Sequence, residues 1–257
     1  MSFEALSPNW QLTALYFLAV LPLFLAMKCV AFWGAAKSRK DWAVILSPFP
    51  TPVSVKRALP LSAAPRVIRR FLLALSVCIS AYWLYWNFLA FRLPPILLSY
   101  LGAIMLRLVS EALGAAVVFL AIPWGNLLPF PHGAAPPLAK SLSDFWGRRW
   151  NVWVSDWFRQ VIFCPLQAHP VLALLLVFLA SGVLHEWAIN VPLYIVTGRN
   201  CFGSMIVYFL LQALGILLER RTRNRQVRVL FVWLFVFGAA PLIVNEGLPR
   251  ILHLWPN

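Results

Sequence analysis

The chain has 257 residues, of which 61% are hydrophobic and 12% charged, and its mean hydropathy is +0.78. This excludes an ordinary soluble domain, in which roughly half of the residues are apolar and about a quarter charged. The formal charge of +14 does not point to nucleic acid either, because the basic residues gather between the apolar runs, where cytoplasmic loops collect Lys and Arg.

Taken in chain order, the apolar runs predict six crossings of roughly 20 residues or more each. They are Trp10 to Trp33, Ile68 to Phe91, Pro94 to Ile122, Pro170 to Val196, Cys201 to Leu218, and Val227 to about Val244. The first lacks a basic leader and is longer than a signal-peptide core, so it is expected to be retained as a span. Pro22 is expected to kink it, whereas Pro94, Pro123 and Pro170 sit at span ends. Segment 34–69 holds seven Lys/Arg, segment 123–169 four and segment 220–228 five, while the alternate connections hold only Arg92 and Arg199. That alternation predicts both termini on the non-cytoplasmic side. The four cysteines, Cys29, Cys78, Cys164 and Cys201, lack metal-ligand or framework spacing and read as packing residues, with no metal expected. The expected fold is all-α: one membrane domain over 1–257, built as a polytopic transmembrane helical bundle.

The connection from Pro123 to His169 differs from the others. It opens with the breaker-rich PWGNLLPFPHGAAPP and then carries helix signals. Ser143 is the expected N-cap and Asp144 suits a first turn. From there Trp146, Trp150, Trp153 and Trp157 recur at helical spacing, opposite Asp144, Arg148, Asn151, Ser155 and Arg159. The pattern predicts an amphipathic helix over 143–159 lying in the interface, Trp side inward and polar stripe toward water or a site.

Inside the spans the ionisable residues are few. His185 lies 15 residues after Pro170, about 22 Å along a helix rising ~1.5 Å per residue. An imidazole at that depth is costly and faces a bundle interior or a cavity, so it is either a functional group or a histidine satisfied between helices. Ser181 and Gly182 share its face and are expected to leave room beside the ring. Glu186 points about 100° away and is expected to face Asn190 as a supporting group. Arg107 and Glu111, spaced i, i+4, read as a neutralising structural pair. There is no GxSxG elbow, no phosphate-binding glycine loop and no HExxH zinc pair, since Ile189 occupies the position of the second His.

Two strings, SLSDFWGRRWN at 141–151 and SGVLHE at 181–186, together resemble the membrane-bound O-acyltransferase superfamily, and within it the wax synthase branch. The likeness continues more weakly through VSDWFRQVIF and the two spans after His185. It implies an MBOAT-like bundle with His185 as catalytic base and Asn151 as a second active-site residue. It also implies acyl-CoA as co-substrate without a permanently bound cofactor, and a lipophilic alcohol, either a long-chain alcohol or a sterol, as acceptor within the lipid. On that reading Arg148, Arg149, Trp150 and Arg159 are expected at the CoA end, with Asp144, Ser181 and Glu186 supporting. The alternative for the arginines is anchorage at lipid headgroups. The membrane expected is the endoplasmic reticulum in a eukaryote and the cytoplasmic membrane in a bacterium. Two rival functions remain open: transfer of a short acyl group such as acetyl to a secondary-metabolite or sterol hydroxyl, and a transporter or channel whose His185-Glu186 and Arg107-Glu111 pairs line a path.

Overall fold

A computed structural model describes residues 6–35, 59–89, 93–124, 130, 132 and 136–254. Most of the basic segment 34–69, Arg92, the end of the second expected span and parts of the Pro/Gly-rich passage lie outside the described residues.

Among the described residues the regular elements are helical. Helix α1 spans Pro8–Ala35 and runs through Pro22. Helix α2, Ala64–Leu84, is led by a 3₁₀ turn at Leu61–Ala63 and extended by a π turn at Tyr85–Leu89. Helix α3, Pro95–Leu120, starts on two prolines, whose missing N–H groups would have been unsatisfied there in any case. The short α4 covers Leu142–Asp144 and passes into a π turn at Phe145–Arg149, and α5 covers Val152–Phe158 followed by a π turn at Arg159–Phe163. Helix α6, Pro170–His185, continues through a π turn at Glu186–Asn190 into α7, Val191–Thr197. Gly198 ends that run at φ +69°, the left-handed stop that glycine adopts without steric cost. Helix α8 is Ser204–Glu219. Helix α9, Arg225–Phe231, extends through a π turn at Val232–Gly238, and the short α10, Ala240–Ile243, and α11, Gly247–Ile251, close the chain.

Among the described residues five runs are long and apolar enough to cross a bilayer: Pro8–Ala31, Leu61–Leu89, Ile96–Leu120, Pro170–Thr197 and Arg225–Ile243. The fifth expected crossing, α8, has 16 residues. At ~1.5 Å per residue it extends about 24 Å, short of a hydrocarbon core of about 30 Å. The protein is a multi-pass helical membrane protein, and large apolar side chains such as Leu18, Leu73, Ile79 and Leu120 stand exposed on its outer faces.

Helix α2 pairs along α3, and α6 pairs along α8. The second pair approaches closely. A Cβ built on Gly182 would lie 2.8 Å from the Ile206 Cα, so only glycine permits this crossing. The space at Gly182 is therefore taken up by α8, whereas Ser181 lines a cavity together with His185. Helix α1 lies against α7 and α11, and α4 fits onto α8 where Leu142 would meet any side chain at Gly215.

A candidate active site around His185 and Asn151

The motif segment is held at its start by two carboxylates. Ser141, in an extended conformation, is the observed N-cap: its hydroxyl accepts from the Asp144 N–H at 3.0 Å. Ser143, the expected cap, lies inside the turn, and its hydroxyl donates to Glu219 at 2.6 Å. Glu219 is 1% exposed and also accepts from the N–H groups of Leu142 (2.6 Å) and Ser143 (3.1 Å). A carboxylate at the end of α8 thus supplies acceptors to the orphan donors that begin the motif helix. Asp144 does the rest: it accepts from the Lys140 N–H at 3.0 Å and from Arg149 at 2.7 Å, and pairs with Arg148 at 3.1 Å. Burial pushes its carboxyl upward, but the Lys140 amide and the Arg149 guanidinium outweigh this and hold it below the usual carboxylate range.

The helix expected over 143–159 is interrupted. Trp150 is extended and Asn151 is left-handed at φ 38°, ψ 62°, so α5 starts afresh with Asn151 as its cap, the side-chain oxygen accepting from Val154 N–H at 3.4 Å. The four tryptophans consequently do not form one stripe. Trp146 and Trp150 pack with α6, α8 and α9, whereas Trp153 and Trp157 pack with α1, α2 and α3. The Trp146 indole donates to Gln212 (3.3 Å), a fully buried amide that itself donates to the Phe235 carbonyl at 2.6 Å. Because the amide oxygen of Asn151 is engaged with Val154, its NH₂ group is left as the donor.

His185 ends α6 at the point where the helix widens into a π turn, a local form that recurs at functional sites. Its Nδ1 lies 2.7 Å from the Ser181 carbonyl. A carbonyl only accepts, so the Nδ1 atom carries the proton and Nε2 presents a lone pair. The ring packs 4.6 Å, centroid to centroid, from Phe209 of α8.

Glu186 turns away from this ring, as its helical offset requires. It accepts from Asn190 at 2.6 Å and from the Met205 and Ile206 N–H groups at 2.9 and 3.3 Å, capping the start of α8. Asn190, fully buried, also reaches the Cys201 carbonyl and accepts from Asn245 at 2.7 Å. This network closes the α6–α8 connection and the start of α11 together. Arg107 pairs with Glu111 at 2.9 Å, as the spacing implies, and Arg70 joins them from α2 at 2.6 Å.

A cavity of about 720 Å³ unites most of the expected site residues. His185, Asn151, Trp150, Arg159 and Ser181 all line it, together with Arg220, Ser143 and apolar side chains from α3, α8 and the end of the chain. Arg148 and Arg149 do not line it, Arg149 being turned to Asp144 and Arg148 largely exposed. Among the described residues no cluster of His, Cys, Asp and Glu is arranged to hold a metal ion. Sequence reasoning missed Glu219, Gln212, Asn245 and His132. The first two were visible as isolated polar residues in an apolar run. The other two carry no such signal.

A histidine whose Nε2 presents a lone pair and an asparagine whose amide can donate line one largely apolar chamber within a helical membrane bundle. A sequence model described as the membrane bound O-acyl transferase family matches residues 131–211, the stretch that contains His132, Asn151, His185 and the first half of α8. A probable long-chain-alcohol O-fatty-acyltransferase of Arabidopsis thaliana is 32% identical over 124 residues, 42% of this chain and 35% of the relative. The long-chain-alcohol O-fatty-acyltransferase of Simmondsia chinensis is 35% identical over 104 residues, 37% and 30% of the two chains. An acyl-CoA–sterol O-acyltransferase of Arabidopsis thaliana is 29% identical over 175 residues, 65% and 46%. Residues 131–211 are thus similar to the membrane bound O-acyl transferase family, and the relatives that match this part of the chain include long-chain-alcohol O-fatty-acyltransferases. The chain spans about a third to a half of the length of these curated relatives.

Proposed function

We propose that the protein is an acyl-CoA-dependent O-acyltransferase that esterifies a lipophilic alcohol, a long-chain alcohol or a sterol, within the membrane. The observation that carries this reading is the shared cavity: His185 and Asn151, remote in sequence, face one chamber whose walls are mostly apolar. In this mechanism the acceptor hydroxyl gives its proton to Nε2 of His185 as its oxygen attacks the thioester carbonyl. The Asn151 NH₂ donates to the oxyanion that forms. Collapse of the tetrahedral intermediate breaks the C–S bond, and the CoA thiolate takes the proton from the imidazolium. No covalent acyl-enzyme is needed. The chamber also keeps water from the thioester, so transfer prevails over hydrolysis.

Arg159 and Arg220, on the cavity wall, are the contacts for the polyanionic CoA end, and guanidinium geometry suits phosphate. Arg148 and Arg149 serve there less directly, through the turn they brace with Asp144, and Trp150 forms the wall beside Asn151. In a eukaryote the compartment is the endoplasmic reticulum, and in a bacterium the cytoplasmic membrane. A chamber of this volume favours a long acyl chain or a bulky acceptor over acetyl transfer alone. A transporter is disfavoured because Glu186 and Glu111 are committed to fixed partners.

The test is an assay of the full chain in detergent with labelled acyl-CoAs of several lengths and a panel of fatty alcohols, sterols and terpenoid alcohols. Ester is expected with long acyl groups, and His185→Ala is expected to reduce it by about 10²–10⁴-fold. Full turnover in that variant overturns the assignment, and solute flux without ester overturns the function.

A further inference from the structure

Two features of Asn151 are unusual together. Its backbone is left-handed at φ 38°, a region that L residues rarely occupy although asparagine tolerates it better than most. Its N–H is directed not at the helix but at a second imidazole, that of His132, whose Nδ1 lies 3.3 Å away. A backbone N–H only donates, so Nδ1 of His132 is unprotonated and the ring is in its Nε2–H form. His132 is 3% exposed and its ring lies 5.2 Å from that of Trp150. It contacts the residues on which the asparagine's direction depends.

His132 is itself anchored. Its carbonyl accepts from Arg70 Nη2 at 3.0 Å, and the same guanidinium donates from Nε to Glu111 at 2.6 Å while lying 3.9 Å over the Phe130 ring. Arg107 holds the other oxygen of Glu111. A chain of contacts therefore runs from Arg107 and Glu111 on α3, through Arg70 on α2 and His132, to the Asn151 backbone. We propose that His132 is a positioning residue: by accepting the Asn151 N–H it fixes the left-handed turn that aims the asparagine amide into the cavity, with Arg70 and Glu111 holding His132 in place. Burial and the nearby Arg107 and Arg70, opposed by Glu111, lower its pKa to about 4, so the imidazole stays an acceptor at neutral pH.

The inference rests on the acyl-transfer reading, and its test separates the two. Asparagine at position 132 presents an oxygen near the place of Nδ1, whereas leucine has nearly the same shape and no acceptor. His132→Asn is expected to keep more than about half of the wild-type kcat, and His132→Leu to lose about 10- to 100-fold in kcat with KM for acyl-CoA nearly unchanged, the scale of effect of a small misplacement. In an Asn151→Ala background His132→Leu is expected to cost less than about twofold, because the group it positions is gone. If the leucine variant does not accumulate, His132→Gln replaces it, since its acceptor sits one carbon farther out and is expected to show the same loss. Equal kcat in the asparagine and leucine (or glutamine) variants, or an undiminished loss on top of Asn151→Ala, overturns the positioning role. A wild-type chain that forms no ester overturns the acyl-transfer reading instead, and the Asn151 turn is then compared by backbone amide exchange at Asn151 in His132→Asn and His132→Leu, where faster exchange in leucine alone supports the contact and equal exchange refutes it.

Discussion

Helices α2 and α3 and the region from α4 to α8 solve the same problem by different means. Along α2 most apolar side chains remain exposed and only Val67 of its own residues is buried. The pair is pinned at one level by the Arg70–Glu111–Arg107 cluster. Between α4 and α8 the contacts are close and the polar groups buried: Glu219 under the motif turn, Gln212 under Trp146, Glu186 and Asn190 at the α6–α8 connection. In lipid an apolar side chain gains little by leaving one hydrocarbon neighbour for another. Position is therefore specified where donors and acceptors have no water to turn to, and the candidate site lies among those groups.

Removing such an acceptor should have the largest effect. Glu219→Ala leaves the Leu142 and Ser143 amides and the Ser143 hydroxyl without their partner, and is expected to destabilise the protein by about 3–5 kcal/mol. Thermal unfolding in detergent measures it. Glu219→Gln, which retains one acceptor oxygen, should recover part of the loss. Equal stability of wild type and the alanine variant would show that the turn holds without its carboxylate, and the contrast between the two regions would fail.

Next comes pH. His132 has a folded pKa of about 4 against an ordinary 6.5. Above pH 6.5 it is neutral both folded and unfolded, and stability is unaffected. As pH falls, the unfolded chain takes up the proton first, so stability drops between 6.5 and about 4, by as much as about 3 kcal/mol. His132→Asn should flatten that part of a stability–pH curve. Within the α2–α3 pair, Glu111→Gln leaves Arg70 and Arg107 facing a neutral amide. This should cost less, about 1–2 kcal/mol, since both arginines remain partly exposed.

The fold class was legible in the sequence, and so were the two residues proposed for the centre of the site, because their signals are local. Long apolar runs declare spans, and an imidazole in mid-span marks a candidate site. The rest depended on groups far apart in the chain. The period of Trp146, Trp150, Trp153 and Trp157 reads as one helix, but the acceptor at His132 and the capping role of Asn151 break it. Nothing near Asn151 in sequence signals that break. Gly182 was expected to leave room beside the imidazole because a single helix cannot display its neighbour, and the Ile206 backbone fills the space at Gly182 itself. Ser143 scored as a cap by residue type, whereas the acceptor that engages it comes from Glu219, the other side of the bundle.

The smallest effect tests the premise of the comparison. Leu73 stands on α2, 64% exposed, and Leu142 in α4 is 0% exposed against α8. The same deletion, Leu→Ala, removes the same atoms from both. At Leu142 it should open a void that the fixed turn cannot close, costing about 2–5 kcal/mol. At Leu73 detergent or lipid fills the place of the lost methyls, and the change should stay within about 0.5 kcal/mol. Comparable losses at the two sites would mean that the outer face of α2 is packed against something in the membrane, and the exposed face would then have to be read as a contact.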